Sequence, residues 1–151
     1  MPAEFLPVVA DWFRETYGQP TYPQLHGWQA ISEGHHTLIV APTGSGKTLA
    51  AFLWALDHLY RLGLEGQLEE RVYVVYVSPL KALNNDIEKN LRLPLQGIRE
   101  RAARDGLNLP EIRVAVRTGD TLAPARQAMT DRKSTRLNSS HIQKSRMPSS
   151  A

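Results

Sequence analysis

The sequence contains no cysteine and no apolar run long enough to span a bilayer. The absence of cysteine excludes disulfides and thiolate metal sites. The N-terminus also has no basic region followed by an apolar stretch, so nothing indicates a secretion signal. We therefore expect a cytoplasmic protein with no membrane segment. At 151 residues, of which 42% are hydrophobic, the chain has room for one modest domain with a core.

The positive charge of the chain is confined to its last 21 residues. The formal net charge is +3, but residues 131–151 hold five basic residues and one acidic residue. Residues 1–130 therefore have 13 basic and 14 acidic side chains, a net charge of −1. The body of the protein gives no electrostatic indication of a nucleic-acid partner.

Hydrophobic periodicity predicts helices that alternate with short strands. Such alternation is typical of an α/β fold in which helices flank a parallel sheet. Three strands are few for such a sheet, so we interpret it as truncated. The predicted strands are residues 37–41, 72–78 and 112–117, and the predicted helices lie near residues 8–18, 23–34, 49–63, 83–91 and 95–104.

Residues 41–48, "APTGSGKT", stand between a predicted strand and a predicted amphipathic helix. They fit the phosphate-loop pattern with Ala41 at the first glycine position. Gly44 and Gly46 allow a tight turn whose N–H groups form a nest for phosphate oxygens. Lys47 is expected to stabilise the β- and γ-phosphates, and Thr48 to offer its hydroxyl to Mg²⁺. The candidate phosphate site comprises Thr43, Gly44, Ser45, Gly46, Lys47 and Thr48.

Three flanking segments distinguish this loop from the phosphate loops of other nucleotide-binding proteins. They are "YGQPTYPQ", which ends at Gln24, "SPLKALNND" at residues 78–86, and "RTGDT" at residues 117–121. In this order, residues 5–130 resemble the DEAD/DEAH-box superfamily 2 helicases, and most of all their large helicase-related (Lhr-type) branch. The resemblance implies a RecA-like P-loop NTPase fold and the use of ATP with Mg²⁺. It also implies that Gln24 hydrogen-bonds the adenine edge.

The second and third segments look like motifs Ia and Ib, which in this family hold the backbone of one nucleic-acid strand. The resemblance implies single-stranded DNA as the expected partner. Both segments follow predicted strands, and ligands of open α/β sheets bind at the carboxyl edge of the strands. Taken alone, Lys81 and Arg117 would be ordinary solvated charges. The candidate strand-binding residues are Ser78, Pro79, Leu80, Lys81, Arg117, Thr118, Gly119 and Thr121.

Two parts of a helicase motor are missing from the sequence. One is the acidic box that holds Mg²⁺ and orients water, and the other is a second RecA-like domain with its arginine finger. We therefore expect a fragment of an ATP-dependent helicase that is inactive alone and whose parent carries a C-terminal motor domain. The alternatives are a P-loop ATPase that is not a helicase and an ATP- or nucleic-acid-binding module without turnover.

Residues 131–151 differ in character from the residues before them. They are serine-rich and basic, which is also the composition of a disordered nucleic-acid-binding tail or of a passive end. "DRKSTRLNSSH" can be back-translated into a string that resembles a short-read sequencing adapter. We expect residues 1–130 to be a partial N-terminal RecA-like ATP-binding domain and residues 131–151 to be a non-native, disordered tail.

Overall fold

The structure, a computed structural model, describes residues 5–77, 87–117 and 136–140. Contacts between residues divide the chain into two compact units. Unit 1 comprises residues 1–67 and 85–110, and unit 2 comprises residues 68–84 and 111–151. Within the described ranges, no helix has both the length and the apolar character needed to cross a membrane.

Unit 1 is helical, and its helices begin and end where proline and glycine predict. Prolines occupy the first turns of three of the four α-helices whose bounds the structure describes, where a missing N–H costs nothing. Gly18 follows the first helix with a φ of 75°. The helices predicted near residues 8–18, 23–34, 49–63 and 95–104 are confirmed. They are α1 (Pro7–Tyr17), α2 (Tyr22–Ser32), α3 (Lys47–Leu64) and α4 (Leu93–Arg104), with a π-helical turn at Glu88–Arg92.

Trp28 of α2 is the centre of the unit 1 core and is fully buried. Its indole Nε1–H donates to the carbonyl oxygen of Ala50 in α3 at 2.9 Å, which satisfies its polar atom. Phe5 and Phe13 pack edge-on against its ring, with centroids 5.0 and 5.5 Å away. One side chain therefore joins the start of the chain, α1, α2 and α3.

Asp57 of α3 is one of the buried polar residues and fixes the start of α1. Its Oδ1 accepts from the N–H of Leu6 at 2.6 Å, and its Oδ2 accepts from Nε of Arg61 at 2.7 Å. Burial raises the pKa of Asp57, while the hydrogen bonds from Arg61 and Leu6 oppose the rise. The carboxyl thus supplies an acceptor to an N–H that the first turn of a helix leaves without an intrahelical partner.

Arg101 of α4 joins that helix to α1 through a cluster of carboxylates. Its guanidinium donates to Glu15, lies 3.5 Å from Oδ2 of Asp11, and holds Asp105 of its own helix at 2.9 Å. Arg104 reaches the other oxygen of Glu15 at 3.2 Å. One side of this cluster is open to solvent, so its ion pairs add little to the free energy of unfolding. We infer that they orient α4 against α1.

The strand predicted at residues 37–41 is wrong. These residues have no regular secondary structure. Leu38 and Val40 are 87% and 84% exposed, whereas the side chain of Ile39 points toward Gly27 of α2. The β-branched, apolar run of a strand is present, but a strand needs a neighbour to accept and donate its backbone hydrogen bonds. Unit 1 provides none within its described residues.

Unit 2 contains a parallel sheet with the strand order β1-β3-β2. The strands are β1 (Val72–Val77), β2 (Arg113–Arg117) and β3 (Arg136–Ser140), so the strands predicted at 72–78 and 112–117 are confirmed. Val77 and Arg117 both pair with Ser140. The carboxyl ends of β1 and β2 are therefore level with each other, on either side of β3.

Residues 131–151 are expected to be a disordered tail; of these residues the structure describes 136–140, which form β3. The physical reason is that β1 and β2 flank a single strand position, and backbone groups alone can fill it. The sequence "RLNSS" lacks the apolar character that predicts a buried strand, so composition gave no sign of it. The resemblance of this segment to translated adapter stays a prediction, to be checked by resequencing across the codon for Thr130.

The packing of α4 on α1 predicts the outcome of Gly97→Ala. In an exposed helix this change is favourable by about 1 kcal/mol. Here the new methyl carbon would collide with the indole nitrogen of Trp12 and lie 3.0 Å from its Cδ1. We expect a net loss of about 1–3 kcal/mol in the free energy of unfolding, measured by urea denaturation. Gln96→Ala on the exposed side of α4 is the control, and equal stability of the two variants would contradict this packing.

Candidate functional site

The phosphate loop lines a cavity of about 640 Å³ in unit 1, a volume within the range of ligand pockets. The structure brings Gln24 and all six predicted loop residues to this one cavity, although they come from two separate segments. Residues 43–46 of the loop before α3, the first residues of α3 and Gln24 of α2 all line it. The lining residues are Tyr17, Gln19, Thr21, Gln24, Thr43, Gly44, Ser45, Gly46, Lys47, Thr48, Leu49, Lys89 and Asn90.

Two glycines give the loop its shape. Gly44 and Gly46 have φ values of 84° and 82°, in the left-handed region that side chains with a Cβ rarely adopt. Between them, the N–H of Ser45 donates to the carbonyl oxygen of Pro42 at 3.3 Å. The backbone therefore turns tightly immediately before α3, as the sequence predicts.

The first turn of α3 supplies unpaired donors to the cavity. Gly46 is the N-cap residue, and its carbonyl oxygen accepts from the N–H of Ala50 at 2.9 Å. The N–H groups of Lys47, Thr48 and Leu49 have no carbonyl four residues earlier within the helix. With the positive end of the helix dipole, they form a site that favours an anion.

The ammonium group of Lys47 is held by the loop itself. It donates to the carbonyl oxygen of Ala41 and, at 2.8 Å, to that of Pro42. These are neutral acceptors, so the positive charge of Lys47 is hydrogen-bonded but not neutralised. A phosphate group near the loop would therefore meet an uncompensated cation at a fixed position.

Helix α2 is attached to the loop by two hydrogen bonds, and a third within its own first turn positions Gln24. Thr21 donates its hydroxyl to the carbonyl oxygen of Ser45 at 2.9 Å. Gln24 accepts from the N–H of Thr21 at 2.9 Å and donates Nε2 to the carbonyl oxygen of Gly46 at 3.4 Å. Gln24 is only 4% exposed. Its amide therefore supports the phosphate loop, a contact that the sequence did not predict.

Six cavity residues were missed by the sequence analysis, among them Leu49 in the first turn of α3. Thr21 had a signal, since a threonine three residues before a glutamine at a helix start is a capping-box pattern. Tyr17 and Gln19 precede α2 within the segment that resembles a Q motif, and they could have been included. Lys89 and Asn90 belong to no motif, and only the packing of their turn beside α3 brings them to the cavity.

The residues predicted to bind a nucleic-acid strand are almost all outside the described part of the chain. Ser78, Pro79, Leu80 and Lys81 directly follow β1, and Thr118, Gly119 and Thr121 follow β2. Arg117 is the last residue of β2, where its backbone pairs with Ser140. The structure thus describes the strands that lead into both motifs and not the motif side chains.

The described residues that line the cavity include no Asp or Glu, and their charged side chains are those of Lys47 and Lys89. Within the described ranges, no group of three or more His, Cys, Asp or Glu residues could hold a metal ion alone. The chemistry of the cavity therefore favours a polyanion that brings its own cation, as a nucleotide–Mg²⁺ complex does.

Comparison with known proteins agrees with this geometry. The family model described as DEAD/DEAH box helicase matches residues 21–138, which include Gln24, the phosphate loop and both flanking motifs. The chain belongs to the DEAD/DEAH box helicase family. The predicted membership of this family is confirmed.

Several relatives of the chain are Lhr-type helicases. "ATP-dependent helicase Lhr-Core protein 2" of Thermococcus barophilus is 55% identical over 121 residues, which cover 80% of this chain and 14% of that protein. "Lhr helicase/uracil glycosylase" of Escherichia coli is 44% identical over 134 residues, which cover 86% of this chain and 9% of that protein. The chain therefore spans a small part of the length of the relatives that it matches.

A solved structure supports the same assignment. The helicase Lhr of Mycobacterium smegmatis, bound to ssDNA and AMP-PNP, matches with a TM-score of 0.77 and 47% identity. The match covers 91% of this chain and 17% of that chain. The family and this likeness imply a RecA-like P-loop fold, in agreement with the predicted fold class, although unit 1 here is helical and the strand expected before the loop is absent.

Contact between Gly46 and Gln24 predicts different effects for two similar substitutions. Gly46→Ala and Gly44→Ala both place a Cβ at a positive φ, which costs about 1–2 kcal/mol. A Cβ at Gly44 meets no atom within 4 Å, whereas one at Gly46 collides with Nε2 of Gln24 and lies 3.0 Å from its Cδ. We expect the Gly46 variant to have the lower melting temperature.

A double-mutant cycle tests the cause of that difference. In a Gln24→Ala background the collision is removed, so we expect Gly46→Ala and Gly44→Ala to destabilise equally. The measurement is thermal unfolding followed by circular dichroism. If Gly46→Ala stays more destabilising without the Gln24 side chain, then the contact described here is not the cause.

Proposed function

We propose that the chain is the nucleotide-binding part of the first motor domain of an Lhr-type, ATP-dependent helicase. In this proposal the phosphate loop binds the triphosphate of ATP, and the segments after β1 and β2 follow a nucleic-acid strand, with single-stranded DNA as the expected substrate. The observation that carries the proposal is the acid-free cavity formed by Gln24 and residues 43–48.

Nucleotide binding is supported by the groups that line the cavity, which suit different parts of ATP. The N–H groups at the start of α3 and the ammonium group of Lys47 suit phosphate oxygens. Gln24 lines the cavity beside them and is proposed to contact the adenine edge as well as the loop. Thr48 is the proposed protein ligand of Mg²⁺, which would neutralise charge on the phosphates. The relative bound to AMP-PNP is consistent with this assignment.

Strand binding is supported by the register of the sheet in unit 2. Val77 and Arg117 pair with the same residue of β3, so β1 and β2 end at the same edge of the sheet, and the proposed strand-binding segments directly follow these ends in the sequence. Neighbouring strands are about 4.8 Å apart, which places the two strand ends about 10 Å from each other. Hydroxyls, N–H groups and isolated cations at such an edge can hold successive phosphates without reading bases.

We propose that the chain binds ATP without hydrolysing it at a useful rate. The sequence contains no Asp-Glu box after the phosphate loop, and the described lining of the cavity offers no carboxylate to orient water. Hydrolysis and unwinding would then be properties of the parent helicase. The absence of a carboxylate from the described lining also favours the alternative in which this chain, taken alone, is a binding module without turnover.

Titration of the chain with a fluorescent ATP analogue and Mg²⁺ tests the nucleotide site. We expect saturable binding by the wild type and at least a tenfold weaker affinity for Lys47→Ala, because a charged hydrogen-bond donor to phosphate is lost. We expect no phosphate release above background. Arg99→Ala, which removes a cation of α4 outside the cavity, is the control. Equal affinity of Lys47→Ala and wild type would overturn the proposal.

Fluorescence anisotropy with a labelled single-stranded oligonucleotide tests the edge of the sheet. Lys81→Ala and Arg117→Ala should each weaken binding about three- to tenfold, and each should reduce the dependence of affinity on salt, since phosphate contacts release counterions. Arg71→Ala, an exposed cation that precedes β1, is the control. Variants with wild-type affinity and salt dependence would assign the strand-binding surface to another part of the molecule.

A further inference from the structure

The cavity at the phosphate loop has a wall that none of the sequence motifs accounts for. It is formed by Lys89 and Asn90, which lie on the π-helical turn Glu88–Arg92. This turn packs against α3, the helix that begins at Lys47. A π-helical turn within a helix is rare and is often found at functional sites. The π-helical turn Glu88–Arg92 lies beside the cavity in which we propose that the nucleotide binds.

Two features of the sequence hold the turn in place. Ile87 and Leu91 are 5% and 1% exposed, so apolar side chains anchor the turn on both sides of Lys89. Pro94 has no N–H, so the carbonyl of Asn90 cannot accept the bond from residue i+4 that an α-helix requires. The regular α-helical bonding pattern is therefore interrupted at the junction between this turn and α4.

The charge of Lys89 has no obvious structural use. The side chain is exposed, and it forms no salt bridge with any residue that the structure describes. It lines the same cavity as Lys47, and the described lining contains no carboxylate. Two cations without an anion on one cavity favour a ligand with several negative charges.

We propose that Lys89, which lies on the π-helical turn, is a second cation for the phosphates of the nucleotide. It lines a wall of the cavity that belongs to none of the sequence motifs. This inference rests on the proposed function, since it requires that the cavity bind ATP. Lys89 is a binding residue for the phosphate chain and has no part in recognising the base. Its contribution should therefore grow with the number of phosphates and be absent for the nucleoside.

Calorimetric titration of the full 151-residue chain with adenosine, ADP and ATP, each with Mg²⁺, tests this. Relative to wild type, Lys89→Gln should weaken ATP about three- to tenfold, weaken ADP less, and leave adenosine unchanged. Lys89→Arg, which keeps the charge, should restore most of the affinity for ATP. Arg99→Gln removes one charge from the neighbouring helix outside the cavity and should change none of the three affinities.

The possible outcomes separate this inference from the function on which it rests. Unchanged affinity of Lys89→Gln for ATP, together with weakened binding by Lys47→Ala, would overturn the role of Lys89 and leave the proposed function standing. Equal weakening of ATP and adenosine would also overturn it, because a general disturbance of the cavity would then be the cause. If the wild type bound neither ATP nor ADP, the proposed function would fail and this inference with it.

Discussion

The backbone of Gly46 is the point on which the candidate site depends. Its left-handed conformation turns the chain into α3. Its carbonyl oxygen accepts two hydrogen bonds, one from the N–H of Ala50 in α3 and one from Nε2 of Gln24. The second bond is possible because glycine has no Cβ, which would occupy the position of the Gln24 amide. The loop, the start of α3 and the start of α2 are therefore fixed by one residue. A cavity with donors in defined positions follows from this constraint.

The proposed contact with adenine would give the amide of Gln24 a second task beside its support of the loop. In the structure, its oxygen accepts from Thr21 and its nitrogen reaches the loop carbonyl at 3.4 Å, a long and therefore weak hydrogen bond. An adenine that bound to the same amide would have to use its remaining donor and acceptor capacity or displace the weaker bond. The second possibility would link recognition of the base to the position of the loop, because the bond to Gly46 would be the one exchanged.

Local patterns predicted four helices, the phosphate loop and two strands, but not which distant segments come into contact. The periodicity of α3 and the glycines of the loop are properties of short segments, and the structure agrees with them. The strand at residues 37–41 was wrong because its pattern describes an extended chain and cannot supply a neighbour. The cavity wall at Lys89 was missed for a related reason: it results from packing between segments that are far apart in the sequence.

The two departures from the expected sheet have a common physical origin. Residues 37–41 carry the β-branched, apolar run of a buried strand yet remain unpaired, with Leu38 and Val40 almost fully exposed. Residues 136–140 lack that composition yet lie between two paired strands. Side chains decide whether a strand is buried, whereas an available backbone edge decides whether it pairs at all. In a chain with few strands, an apolar segment that has no neighbouring strand therefore stays unpaired. A polar segment that lies between two strands can still pair with both. Exposed Val75 of β1 indicates that the sheet of unit 2 is likewise not covered on both faces, as the near-continuous apolar sequence of that strand would require.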